Sequence, residues 1–239
     1  MSIEFALDQA AARVSAPTTL HRPMELGQLP TPALVLERAA MERNMRKMAD
    51  HVRAAGKGFR PHSKTHKCPT IAKLQMQLGA VGICAAKISE AAIMLGAGVP
   101  SVLITSPIAT LAKAQALNSL LGTYPNCELL LVVDSEQGLA ALQAAIAPER
   151  RLGLLVDIDL SMGRTGTREV DIMLRLIDAV MNDERFEFRG IQHYAGHLMH
   201  IEDYAKRRDK SLASWSRLDE FFTALAERGI SPEIVTGGG

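Results

Sequence analysis

What this 239-residue chain lacks narrows the choices before anything it contains. Aromatic residues make up 4% of it, with one Trp, and Cys occurs three times. Cys68, Cys84 and Cys127 are odd in number, widely spaced and form no Cys-x-x-Cys pair, which excludes a disulfide framework or a zinc ribbon and fits reduced thiols. Charge of one sign is missing too. Lys and Arg number 27 against 26 Asp and Glu, so a net charge of +1 offers no basic field to nucleic acid, and no run of like charges marks a tail. The richest apolar stretches, 128–133 and 151–158, have strand length, far short of the ~18–20 residues of a membrane span. The N-terminal residues lack the apolar h-region of a secretory signal, so no membrane partner is expected and the expected location is cytoplasmic. Neither a Gly-x-Gly-x-x-Gly after the first strand nor a Walker A lysine occurs, which argues against a doubly wound nucleotide-binding sheet.

What is present is a regular alternation of two periods. Aliphatic or β-branched runs at 33–36, 58–62, 81–85, 101–105, 128–133, 152–158, 186–194 and 233–236 read as strands. Ala, Leu, Met, Glu and Lys-rich segments with helical spacing lie between them, at 39–55, 70–78, 109–121, 136–147, 169–181 and 202–228. Strand followed by helix, repeated, predicts a parallel sheet with crossover helices, and roughly 250 residues is the size of one (β/α) barrel. The continuous run Leu129-Leu-Leu-Val-Val133 is what a strand buried on both faces requires. Gly56, Gly79, Gly96, Gly98, Gly122 and Gly229 stand where helix C-caps belong. Residues 1–29, broken by Pro17 and Pro23, read as a leading arm, and 30–239 as a single α/β domain of the TIM-barrel type.

In such a barrel, chemistry sits at the C-terminal ends of the strands. Four strand ends carry polar residues. Arg60-Pro-His-Ser-Lys-Thr-His-Lys67 puts two His and two Lys within six residues. A lysine there, surrounded by cations and partly desolvated, would have a lowered pKa and act as a Schiff-base nucleophile; the segment also reads as a solvated basic loop. Asp157-Ile-Asp-Leu-Ser-Met-Gly-Arg-Thr-Gly166 runs a strand into a glycine-flanked arginine. Arg164 is then either a fixed donor across the barrel mouth or the partner of Asp157 and Asp159 in a structural clamp. Gly190-Ile-Gln-His-Tyr-Ala-Gly-His-Leu-Met-His200 ends a strand in three His and a Tyr. His193, His197 and His200 have no carboxylate to complete a metal set. Val235-Thr-Gly-Gly-Gly239 opens a late strand into glycines, whose amides make an anion nest or an ordinary turn. An amine, a permanent cation, an aromatic face and free amides together are what a pyridoxal phosphate site needs.

These residues resemble a known family. Thr31-Pro-Ala-Leu-Val-Leu36, Arg60-Pro-His-Ser-Lys-Thr-His-Lys-Cys-Pro69, Gly82-Ile-Cys-Ala-Ala-Lys-Ile-Ser-Glu-Ala91, Gly163-Arg-Thr-Gly166, Gly190-Ile-Gln-His-Tyr194 and Val235-Thr-Gly-Gly-Gly239 are similar to the metal-activated D-threonine aldolase and D-serine dehydratase group, which shares the alanine racemase barrel. The resemblance runs from about Pro30 to the last residue. It implies pyridoxal 5'-phosphate as cofactor, with Lys64 as the lysine that bonds its aldehyde and Lys67 as a neighbouring cation. It implies Arg164 as donor to the phenolic oxygen, Tyr194 beside the pyridine ring with Gln192 on the same strand face, and Thr236, Gly237, Gly238 and Gly239 as the start of the phosphate cup. His200 matches the histidine that takes the proton from the substrate's β-hydroxyl.

The implied activity is a lyase reaction on a D-β-hydroxy-α-amino acid: retro-aldol cleavage as in D-threonine aldolase, or dehydration of D-serine or D-3-hydroxyaspartate. A pyridoxal phosphate-binding barrel without catalysis, or a barrel enzyme without this cofactor, are the competing readings. The group uses a divalent metal, manganese or zinc, whose ligands lie in a C-terminal β-domain with no counterpart in these 239 residues. By the resemblance, 33–36 pairs with that β-domain, which leaves seven barrel strands. The expectation is a chain cut short at its phosphate loop, a homodimer, metal-poor and turning over little by itself.

Overall fold

The computed structural model describes residues 25–29 and 31–238, so most of the leading arm, together with Pro30 and Gly239, lies outside the described residues. Among them, six parallel strands form one sheet in chain order: β1 (Ile83–Ala85), β2 (Ser101–Ile104), β3 (Glu128–Val133), β4 (Leu152–Ile158), β5 (Phe186–Tyr194) and β6 (Ile234–Gly238). The helices are α1 (Arg38–Ala54), α2 (Pro69–Gln77), α3 (Ile88–Gly96), α4 (Leu111–Thr123), α5 (Glu136–Ala145), α6 (Val170–Met181), α7 (Tyr204–Ser216) and α8 (Asp219–Glu227). The sheet curls into a half-barrel with helices outside it, the truncated form of the expected barrel. No helix among the described residues is long and apolar enough to cross a membrane.

Local chemistry explains where the helices begin. The Glu37 carboxylate accepts from the N–H groups of Ala39 and Ala40, Ser135 Oγ accepts from Gly138 N–H at 3.2 Å, and Asp203 accepts from Lys206 N–H at 2.7 Å. Pro69 opens α2, where its missing N–H costs nothing.

The strands bury two unequal cores. Outward-facing Val102, Ile104, Leu129, Leu131, Val133, Leu154 and Val156 pack under the helices with Leu117, Leu142, Met173, Ile177 and Phe221. Inward-facing Cys84, Leu103, Leu130, Val132 and Leu155 make a small second cluster, with Ile234 against it.

Several expectations require correction. Residues 33–36 form no strand: Leu34, Val35 and Leu36 are exposed and no described segment pairs with them. Residues 58–62 run beside β1, with Val81 N–H donating to Phe59 O and Cys84 N–H to Pro61 O, both at 2.8 Å, yet only His62 and Cys84 form a bridge. Pro61 has no N–H to return the intervening bond, so the seventh strand is not formed. The segment 202–228 is two helices, broken where Leu218 turns into the core and Arg217 donates to Leu160 O. Gly96 and Gly122 lie within α3 and α4. A Cβ on Gly96 would stand 2.9 Å from the Tyr124 hydroxyl, and one on Gly122 2.9 Å from Arg150, so both are small for packing and not for capping.

Candidate active site

Period-two alternation decides what faces the concave side of the sheet. Continuing the inward apolar series one step beyond each strand's core leads from Leu103 to Thr105, from Val132 to Asp134, from Leu155 to Asp157 and from Ile234 to Thr236. β5 reaches this phase through a bulge. Phe186 and Phe188 pack outward and so does Ile191, because the register shift opposite Leu154 and Leu155 leaves Arg189 as an extra residue. After the bulge Gln192 and Tyr194 turn inward, and His193 turns outward to the helices.

Of these inward ends, Thr105, Gln192, Tyr194 and Thr236 line one cleft of about 150 Å³. Lys64, Arg164, Gln192, Tyr194, Thr236, Gly237 and Gly238 all line it, joined by His62, Thr105, Cys84 and Arg60, to which the sequence assigned no role. The strand phase just described was the signal that could have found Thr105 and Cys84. Two other expected positions are not brought in. His200 is the exposed last residue of a 3-10 helix, Gly196–His200, beyond β5 and does not line the cleft, and Gly239 lies outside the described residues.

Lys64 sits in a 3-10 turn, Ser63–Thr65, capped by its own neighbour: His62 Nδ1 accepts from Lys64 N–H at 3.1 Å. An accepting Nδ1 leaves the proton of the neutral ring on Nε2, 3.1 Å from Thr105 Oγ1. Burial and, after it, the Lys64 charge hold His62 down to about 4, so the ring is neutral at physiological pH. Below it, burial pushes the Cys84 thiol up to about 12. The Lys64 amine lies 5.4 Å from the centroid of the Tyr194 ring and makes no ion pair among the described residues. Lys67, at φ 48°, is instead held by Glu90 at 3.3 Å. The two lysines of the motif are thereby separated into one free amine and one neutralised cation.

The Arg164 loop is built on three carboxylates. Asp159 accepts from the N–H groups of Ser161, Met162 and Gly163 at 3.1, 2.7 and 2.8 Å, and from Arg168 at 2.9 Å. These bonds outweigh the opposing effect of burial and hold its carboxyl below the usual range. Asp134 accepts from Gly166 N–H at 3.1 Å. Asp157 accepts from Thr165 Oγ1 at 2.8 Å and from Gln192 Nε2 at 2.9 Å, while burial raises its pKa above the ordinary aspartate value. The clamp reading of Arg164 therefore needs revision, since Asp159 is satisfied by Arg168 and the loop amides. Arg164 makes no ion pair among the described residues and lies against Tyr194.

Glycines close the far side of the cleft. A Cβ on Gly237 would stand 1.9 Å from His193 O, whereas nothing lies within 4 Å of the Cβ position on Gly238. The floor is polar. Arg60 donates to Ser101 Oγ at 2.7 Å, Ser101 donates to Glu128, and Arg189 bonds Glu128 at 2.9 Å and Glu233 at 2.8 and 3.0 Å, linking residues 58–62 to β2, β3, β5 and the entry to β6.

The three histidines near β5 do not gather. His193 is buried, with Nδ1 3.0 Å from Ile158 O and Nε2 2.7 Å from Ser214 Oγ, while His197 and His200 are exposed. No group of three or more His, Cys, Asp or Glu among the described residues is placed to hold a metal ion. The cleft instead offers a free amine, a free guanidinium, an aromatic face and open glycine backbone, a donor set for a planar, anionic ligand bearing a carbonyl.

The family model described as alanine racemase, N-terminal domain, matches residues 36–239. A 3-hydroxy-D-aspartate aldolase of Paracoccus denitrificans (strain Pd 1222) is 35% identical over 218 residues, 90% of this chain and 56% of that protein. A D-threonine aldolase of an Arthrobacter species is 31% identical over 215 residues, with the same coverage of 90% and 56%. The crystal structure of D-threonine aldolase from Filomicrobium marinum superimposes with a TM-score of 0.82 at 33% identity, over 90% of this chain and 59% of that one. The chain thus spans little more than half the length of the relatives it matches.

Proposed function

The chain belongs to the alanine racemase N-terminal domain family, and from that premise we propose that it is the cofactor-binding barrel of a pyridoxal phosphate-dependent lyase acting on D-3-hydroxy amino acids, by retro-aldol cleavage to glycine and an aldehyde. The observation that carries this reading is the convergence of an ion-pair-free lysine and an ion-pair-free arginine on one aromatic face, with open glycine backbone on the far side. The names of the two aldolases above support this reading, whereas a D-threo-3-hydroxyaspartate dehydratase of a Delftia species, 33% identical over 173 residues, supports dehydration as the second reading.

The residues fit the cofactor. Lys64 supplies the amine that holds its aldehyde, Arg164 a donor for the ring oxygen, Tyr194 the face against the ring, and Thr236, Gly237 and Gly238 the donors for its phosphate, with the space over Gly238 open. Pyridoxal phosphate when bound supplies an electron sink for the charge left on Cα as a bond to it breaks. The chain's own part is to orient and to manage protons. The neutral His62 ring fixes the Lys64 backbone and adds no charge beside the amine. The β-hydroxyl proton is assigned to His200 by the family resemblance alone, since this histidine is exposed on the segment after β5 and does not line the cleft. No group of three or more potential metal ligands is present among the described residues.

The test is direct. Purified chain mixed with pyridoxal phosphate should develop the visible band of a cofactor joined to an amine, and Lys64→Ala should not. No band in the parent, or an equal one in Lys64→Ala, overturns the reading. Glycine and aldehyde release from D-threonine or 3-hydroxy-D-aspartate, with manganese or zinc supplied, distinguishes cleavage from dehydration, which releases a keto acid and ammonia. His200→Ala should abolish the cleavage while leaving the band. The assembly we expect is a homodimer, measured by light scattering.

A further inference from the structure

Gln192 has one polar end tied and one free. Its Nε2 donates to Asp157 Oδ1 at 2.9 Å. Its Oε1 has no hydrogen bond among the described residues, yet it is not among the buried side-chain atoms left without a partner, and the side chain lines the cleft. The oxygen therefore opens on the cleft.

The reason lies on Asp157. This aspartate is 3% exposed, hydrogen-bonded to Gln192 and lining a small recess together with Arg164. Both of its oxygens receive a donor, Oδ2 from the Thr165 hydroxyl at 2.8 Å and Oδ1 from Gln192. An ionised carboxylate has only acceptors to offer, so an amide packed against it must present its NH₂ and turn its carbonyl away. The opposite orientation would bring two acceptor oxygens together in a buried place and strand the NH₂. The same carboxylate holds Thr165, the residue after Arg164, so one buried group sets two neighbouring parts of the cleft wall.

We propose that Asp157 is a positioning residue that locks the Gln192 amide with Oε1 toward the cleft, so that this part of the site takes a ligand through the ligand's own N–H or O–H. A ligand group able only to accept meets no donor from Gln192 itself. The assignment rests on the proposed cofactor reading only for which ligand supplies the donor; the orientation of Gln192 stands on Asp157 alone.

A charge-conserving swap tests it. In Asp157→Asn the buried partner offers either a donor or an acceptor, so Gln192 loses its fixed direction. In Asp157→Asn combined with Gln192→Glu, the NH₂ of the amide introduced at position 157 donates to a carboxylate that again presents an acceptor to the cleft. Pyridoxal phosphate binding to the full chain can be followed by quenching of the single Trp215, whose ring would stand 2.9 Å from a Cβ on Gly237. Asp157→Asn should weaken binding roughly tenfold, as expected for a mismatched hydrogen bond in a desolvated place. The swap should restore it to within about threefold of the parent. Equal weakening in both, or in neither, overturns the proposal.

A second readout is independent of the cofactor. The side-chain NH₂ signals of Gln192, identified as the pair lost in Gln192→Glu, should exchange slowly with solvent in the free parent chain and rapidly in Asp157→Asn. Rapid exchange in the parent overturns the locked amide even if pyridoxal phosphate binds. Slow exchange with no cofactor binding leaves the lock standing and overturns the cofactor reading instead.

Discussion

The guanidinium carbon of Arg164 lies 5.3 Å from the centroid of the Tyr194 ring, and four residues further on Arg168 takes the Asp159 carboxylate at 2.9 Å. One loop thus carries two arginines with separate duties. Arg168 satisfies the carboxylate that also gathers three loop amides, which leaves Arg164 charged, directed at the cleft and without an acid partner among the described residues.

The two arginines are expected to separate in experiment. Arg164→Ala touches no ion pair, so its effect on stability should stay within about 0.5 kcal/mol, as for an ordinary surface change. Its pyridoxal phosphate affinity should nevertheless fall at least tenfold, as for loss of a charge-assisted hydrogen bond. Asp159→Ala removes the acceptor of three loop N–H groups and should cost about 1–3 kcal/mol, a drop of several degrees in melting temperature. An Arg164→Ala chain that melts early but binds normally would reverse the assignment.

Acid stability should report on His62. Folding lowers this ring from 6.5 to about 4, so as pH falls the unfolded chain takes up its proton first. The stability tied to the neutral ring is complete above pH 6.5 and is lost progressively between 6.5 and about 4. Asp157, raised by burial, acts in the opposite sense, so the comparison of parent with His62→Gln isolates the histidine. Denaturant melts at intervals across that window should show a shallower pH slope in His62→Gln; identical slopes would count against the buried, capped ring.

The cysteines should differ sharply in reactivity. With its thiol pushed up to about 12, Cys84 carries very little thiolate, while Cys68 and Cys127 are only partly buried. A thiol reagent at pH 8 is expected to label Cys68 and Cys127 in the folded chain and Cys84 only after denaturation. Fast labelling of Cys84 would show that the concave face is open to solvent.

Gly237→Ala should strike the fold and the cleft together. Its methyl would stand 1.9 Å from His193 O, forcing β6 away from β5. The cost is expected at roughly 1–3 kcal/mol, as for overpacking, with a melting temperature lower by several degrees and weaker cofactor binding. The open position beside it makes Gly238 a useful contrast: no atom lies within 4 Å of an added methyl, and only its φ of 153° opposes the change.

How much of this was legible in the sequence depends on the range over which the cause acts. The alternation of apolar strands and amphipathic helices and the continuous run at 129–133 follow from neighbours a few positions apart, and these parts of the fold could be read directly. The motifs around Lys64, Arg164 and Tyr194 were visible because reactive residues sit at strand ends. What failed also had a physical reason. Residues 33–36 have strand composition but no described partner, and 58–62 has a partner but a proline where the ladder needs a donor.

Three things were decided only by the tertiary structure. Which of Lys64 and Lys67 keeps a free amine depends on Glu90, more than twenty residues away in the chain. Whether Arg164 is clamped depends on Arg168 reaching Asp159 first. Which of Gln192 and His193 enters the cleft depends on a bulge at Arg189, one extra residue that shifts the phase of everything after it. The sequence by itself set the period of the strands and the kinds of side chain at their ends; pairing with β4 and packing against distant carboxylates set the phase, because facing direction in a sheet is fixed by register, and register exists only once strands meet.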